Sequence, residues 1–83
     1  MYELLISSRA DREIKKLPYE IQNRILEALM EIKEDPYFGK PLTQEHQGKL
    51  SCKVGAHRIV YKILEKDKKV FVFTAGHRST VYQ

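Results

Sequence analysis

Leu50-Ser51-Cys52-Lys53-Val54-Gly55-Ala56-His57-Arg58-Ile59-Val60-Tyr61-Lys62-Ile63-Leu64 is the stretch on which the fold turns. Two alternating runs flank Gly55-Ala56, and Gly55 suits a tight turn that needs positive φ, so the stretch predicts a β-hairpin. A two-residue turn pairs Val54 with His57, Cys52 with Ile59 and Leu50 with Tyr61, which makes one face apolar. The other face then sets Lys53 opposite Arg58 and Lys49 opposite Lys62, with Ser51 facing Val60. Like charges directly opposed destabilise a sheet. An anion held between them offsets that repulsion, so the pairing predicts a site for a phosphate-like group.

Toward the C-terminus, Glu65 to Lys69 reads as a charged turn and Val70 to Ala75 as a third strand. Pairing Leu64 with Val70 sets Ile63 against Phe71, Tyr61 against Phe73 and Ile59 against Ala75, extending the apolar face across three strands. The same register puts Gly76 opposite Arg58 and carries Arg78 just past the strand end on the basic face. If the last residues form a helical turn, Tyr82 falls four residues on and over Arg78. Lys53, Arg58, Arg78 and Tyr82 then line one concavity. Tyr82 has a second reading, as a terminal aromatic tucked onto the sheet. His57 faces the apolar side by this register and reads as structural. His77 shares its parity but stands at the strand end, where both faces are open to it.

Toward the N-terminus the chain reads as packing elements. Tyr2 to Ser7 alternates as a strand. Ser8 reads as the N-cap of a helix running to about Leu17, with Ala10, Ile14 and Leu17 on one stripe. Pro18 interrupts it and opens a second helix, with Ile21, Ile25, Ala28, Leu29 and Ile32 at helical spacing up to Asp35. Leu26 and Met30 lie off that stripe, which leaves a wide buried face or an apolar patch for a partner. Tyr37 to Gly48, with Gly39 and Pro41, has no periodicity and reads as a loop that holds His46.

Composition bounds the function. At 83 residues the chain is expected to form one domain, residues 1–83, with a modest core that buries about 60% of the unfolded surface. No apolar run approaches the roughly 18 residues of a membrane span, and no signal-like pattern opens the chain. A single Cys52 excludes an internal disulfide and suits a reducing compartment, so a cytoplasmic location is expected. Charge divides unevenly: residues 1–48 carry seven Lys/Arg against nine Asp/Glu, while residues 49–83 carry eight against two. The only acids after position 48 are Glu65 and Asp67, both in a predicted turn, which disfavours a carboxylate-held metal nuclease. Three histidines and one cysteine at unrelated spacings give no zinc signature, and no cofactor or metal is expected.

Lys53-Val54-Gly55-Ala56-His57-Arg58-Ile59-Val60-Tyr61, followed by Gly76-His77-Arg78-Ser79-Thr80-Val81-Tyr82, resembles the paired signature of the RelE/ParE superfamily of bacterial and archaeal toxins. That signature runs from a basic residue through Val-Gly, an acidic-aromatic pair, Arg-Ile and Tyr to a C-terminal Gly-His-Arg and Val-Tyr. The likeness extends over nearly the whole chain. It departs at Ala56-His57, where the family has an acid and a tyrosine.

The resemblance implies an α+β fold of order βααβββ, with two N-terminal helices packed on one face of an antiparallel sheet and a basic concave site on the other. It also implies a toxin neutralised by a RelB-like antitoxin in a hetero-oligomer. In the RelE branch it implies a metal-independent mRNA interferase acting in the A site of the 70S ribosome, driving a 2′-hydroxyl onto its neighbouring phosphate. Carried over position by position, Arg58 and Arg78 hold the phosphate, Lys53 stabilises charge, and Tyr82 or His77 moves protons, with acid and base unassigned. Lys49 and Lys62 extend the phosphate track. Two other classes remain open, a ParE-like gyrase inhibitor and a non-catalytic nucleic-acid-binding relative.

Overall fold

The computed structural model describes residues 1–42 and 48–77. Strand β1 (Glu3–Ile6) leads into helix α1 (Ser8–Lys15) and helix α2 (Tyr19–Glu34). A 3-10 turn at Pro36–Phe38 precedes the short strand β2 (Lys40–Pro41). The chain then forms β3 (Leu50–Val54), β4 (His57–Leu64) and, after a 3-10 turn at Glu65–Asp67, β5 (Lys69–Thr74).

Capping and side-chain pattern account for the helices. Ser7, not Ser8, caps α1, its hydroxyl accepting from the Ala10 amide at 3.0 Å. The helix stops at Lys15, short of the expected Leu17. Pro18 lacks an amide proton, which costs nothing at a helix start, and α2 begins at Tyr19. Ala10 and Ile14 from α1 and Ile25, Ala28, Leu29 and Ile32 from α2 enter the core. Burial of each isoleucine or leucine contributes about 1.5–3 kcal/mol. Against them pack Ile59 and Tyr61 of β4, Val70 and Val72 of β5, and Ala75.

The five strands run in the order β1-β5-β4-β3-β2. The expected all-antiparallel sheet is therefore mixed, because β1 pairs in parallel with β5 through Leu4 with Val70 and Ile6 with Val72. Alternation reports which way a side chain faces and nothing about a neighbour more than sixty residues away. The expected loop from Tyr37 to Gly48 likewise contains β2, which pairs Lys40 with Ser51.

The hairpin register matches expectation at every described pair, from Val54 with His57 to Leu50 with Tyr61. Gly55 has φ +60°, as the first central residue of a type II′ turn requires. The β4–β5 register differs. Near the turn, Leu64 pairs with Lys69, Ile63 with Val70 and Tyr61 with Val72, one residue short of the expected pairing. Lys68 closes the 3-10 turn in a left-handed conformation (φ 53°) and delivers the chain to pairing at Lys69. Valines 70 and 72 consequently face the helices, and Phe71 and Phe73 face away.

A β-bulge then restores the expected register. Pairing shifts between Tyr61 and Val60, which meets Thr74, so Phe73 is the additional residue. Beyond it the Arg58 amide donates to the Gly76 carbonyl at 3.0 Å and His57 bridges His77. Helix α1 holds this bulge. The Ser7 hydroxyl donates to the Phe73 carbonyl at 2.7 Å. Glu13 Oε1 accepts from the Thr74 hydroxyl at 2.6 Å and from the Ala75 amide at 3.1 Å.

At the opposite edge of the core, the fully buried Tyr61 donates to the Pro36 carbonyl at 2.7 Å. Gly39 lies against this ring, and a Cβ there would come within 2.9 Å of Tyr61 Cζ.

Candidate phosphate-binding face

The sheet face turned away from the helices carries the cations. Alternation along β3 and β4 places Lys53 and Arg58 on it as a directly opposed pair. Lys53 is exposed, whereas Arg58 is half-buried with its Nε shielded from solvent. A guanidinium with a buried edge is oriented, and its planar geometry suits two phosphate oxygens. The Gly76 carbonyl, bonded to the Arg58 amide, places Gly76 across from Arg58.

Further along the same face, Lys49 sits directly before β3 with its Nζ 4.2 Å from the centroid of the Phe73 ring. Phe73 in turn meets Phe71 edge-on, with ring centroids 4.8 Å apart. Lys62 is exposed and pairs with Phe71 in the β4–β5 register. The face is thus a basic strip with two half-buried aromatic rings in it. Such a combination suits nucleic acid, in which phosphates meet cations and bases meet rings. Phe71 and Phe73 were expected in the core. Their place on this face follows from the early turn closure and the bulge, which no local pattern announces.

His77 does not join Arg58 and Lys53 on that face. It bridges His57 across the strand ends on the side continued by Ile59 and Ala75, with ring centroids 5.6 Å apart and planes at 78°. Arg78 and Tyr82, expected to complete the concavity, and His46 lie outside the described residues.

Glu65, one of the two acids of the C-terminal half, belongs to a different cluster at the far end of β4. Its carboxylate accepts from Lys68 Nζ at 2.5 Å, from the Tyr2 hydroxyl at 2.9 Å and from the Tyr37 hydroxyl. The Lys68 and tyrosine hydrogen bonds pull its pKa down to about 2. The same carboxylate pushes the Tyr37 hydroxyl and the Lys68 ammonium upward. Burial raises Tyr61 to about 12 and moves the Cys52 thiol up, so neither is poised for proton transfer near neutrality.

The opposite side of the molecule carries a second surface. Leu26 and Met30 on α2 are 47% and 56% exposed, which decides for the apolar patch over a wide buried stripe. Met30, Glu31, Glu34, Asp35 and Phe38 line a shallow cleft of about 490 Å³ beside it. Among the described residues, no group of three or more His, Cys, Asp or Glu side chains could hold a metal ion. No helix among them is long and apolar enough to cross a membrane.

Comparison with known proteins bears directly on this architecture. The family described as the ParE toxin of the type II toxin-antitoxin system parDE matches residues 4–82. Toxin RelG of Mycobacterium tuberculosis is 30% identical over 84 aligned positions, covering 99% of this chain and 97% of RelG. Among solved structures, the toxin-antitoxin complex RelBE2 of M. tuberculosis superposes with a TM-score of 0.84 at 30% identity, covering 93% of this chain and 98% of the matched one. The isolated RelE toxin of Escherichia coli gives a TM-score of 0.80 at 27% identity, with 99% and 92% covered. A sheet of this topology under two helices, matched along its whole length in sequence and backbone, places the chain in the RelE/ParE superfamily of toxins of type II toxin-antitoxin systems.

Proposed function

We propose that this toxin is a metal-independent mRNA interferase that cleaves in the A site of the 70S ribosome and is neutralised by a RelB-like antitoxin. The observation that carries the reading is the direct opposition of Lys53 and Arg58 on the face away from the helices. The two acids of the C-terminal half, Glu65 and Asp67, occupy the turn at the other end of β4.

The chemistry needs no cofactor. Attack of the ribose 2′-oxygen on the adjacent phosphorus forms a cyclic phosphate and releases the 5′-oxygen. Charge builds on the non-bridging oxygens, and cations aimed there lower the barrier. Arg58 with its shielded edge and Lys53 across from it supply two such cations, and Arg78 follows Gly76-His77 closely enough in sequence to supply a third. Tyr82 is the candidate for proton transfer, since a phenol becomes a better base where cations lower its pKa. With His77 paired to His57 on the other face, Tyr82 becomes the stronger of the two candidates. Lys49, Lys62 and the Phe71–Phe73 pair extend the strip along the message.

The antitoxin either covers the basic strip with an acidic segment or displaces the C-terminal residues from it. The charge of the strip supports the first, and the RelBE2 relative is itself a toxin-antitoxin complex. The setting is cytoplasmic, where ribosomes and message are found.

A second reading has its own support, since the matching family is described as ParE toxin. In it the same face binds DNA gyrase and cuts nothing.

The deciding experiment uses programmed 70S ribosomes in EDTA with wild type, Arg58→Ala and Arg78→Ala. Wild type is expected to cut within the A-site codon, with each substitution lowering the rate by about 10²–10³. Intact message with folded wild-type protein refutes the interferase reading, and inhibition of gyrase supercoiling by the same sample would then establish the second.

A further inference from the structure

The residue pair that the proposed chemistry leaves unused is His57 with His77. The two sit directly across from each other at the ends of neighbouring antiparallel strands. The Arg58 amide bonds the Gly76 carbonyl immediately beside them. Position 57/77 is therefore a non-hydrogen-bonded pair, the class in which opposed side chains approach most closely.

The rings stand 5.6 Å apart between centroids, half-buried at His57 and exposed at His77. Two imidazoles on one tetrahedral zinc, with Zn–N about 2.0–2.1 Å, bring their centroids to roughly 5 Å. The observed separation is close to that value. The strand pairing has already fixed both Cα positions, so little ordering cost remains.

We infer that His57 and His77 form a two-imidazole clip for a borderline divalent ion, zinc or nickel, with water completing its coordination. Imidazole nitrogen selects such ions over magnesium and calcium, which require oxygen. The clip lies on the opposite sheet face from Lys53 and Arg58, so the ion takes no part in phosphate chemistry. Its effect is mechanical. A metal bridge between His57 and His77 fastens the two strand ends to each other and stabilises the native state by selective binding. The clip is independent of whether the target is message or gyrase. His57 stands where the family signature has an aromatic residue, which makes the clip a property of this chain.

The test is calorimetric titration and thermal denaturation of the untagged protein with ZnCl₂, NiCl₂ and MgCl₂. Wild type is expected to bind one zinc or nickel ion saturably and to gain on the order of 10 °C in Tm at a hundredfold excess over Kd. Magnesium is expected to do neither. His57→Ala and His77→Ala should each weaken binding at least tenfold, while His46→Ala and Cys52→Ser leave it intact. Should either clip variant fold poorly, paramagnetic Ni²⁺ on wild type reads the site directly by broadening the ring resonances of His57 and His77 first. Absence of saturable binding, retention of full affinity in both clip variants, or broadening centred on His46 overturns the inference.

Discussion

Replacing Glu13 with alanine tests the hold that α1 has on the site. Glu13 Oε1 is the shared acceptor for the Thr74 hydroxyl and the Ala75 amide. Both donors are on residues buried to at least 96%. Truncation leaves two buried donors without this acceptor, at about 1–3 kcal/mol each, and partial solvent access at Glu13 places the sum near 2–4 kcal/mol. Its exposed ion pair with Arg9, at 3.4 Å, adds little. For a domain of this size the loss lowers Tm by roughly 10–20 °C. Glu13→Gln keeps a carbonyl oxygen at the same place and is expected to stay within a few degrees of wild type. Thr74→Val removes one of the donors, so the double variant Glu13→Ala/Thr74→Val should lose less than the sum of the singles. Thermal denaturation of the four proteins measures this. Additive losses, or a Glu13→Gln variant as unstable as Glu13→Ala, would refute the acceptor role and leave only the charge on α1 to explain the effect.

Gly39→Ala drives a methyl group into the Tyr61 ring and against the hydroxyl that bonds Pro36; about 1–3 kcal/mol of destabilisation is expected in urea unfolding, partly relieved in the Gly39→Ala/Tyr61→Phe pair. The Glu65 cluster gives a pH dependence. The folded carboxylate titrates at about 2, below the unfolded value near 4.3. Its contribution is therefore complete above the unfolded value and disappears as pH falls from about 5 toward 2. Because the group is exposed, the expected slope is shallow. The urea midpoint of wild type should fall more than that of Glu65→Gln over this range, and parallel curves would exclude the cluster as the cause.

Much of this arrangement is legible in local pattern. The stripe from Ile21 to Ile32 specifies a buried helix face because its period is that of the α-helix. Gly55 announces the β3–β4 turn because few other residues tolerate its φ. From that turn the register follows by counting, and with it the opposition of Lys53 and Arg58. The β4–β5 pairing resisted the same counting because a 3-10 turn with left-handed Lys68 closes one residue early. A single residue reverses every side chain, and Phe71 and Phe73 exchanged faces with Val70 and Val72. The hydrophobicity of both pairs is similar, so nothing local distinguishes the two solutions.

The sequence by itself determined the helix stripes, the hairpin and the side of it on which Lys53 and Arg58 meet, since each depends on periodicity or a turn within a few residues. Only the tertiary structure decided that β1 lies parallel to β5, that Ser7 and Glu13 hold a bulge at Phe73, and that His77 meets His57 rather than Arg58. Those outcomes join residues twenty to seventy positions apart. They are selected by the packing of α1 on the sheet, where one carboxylate and one hydroxyl satisfy backbone groups that the bulge releases from the β4–β5 ladder.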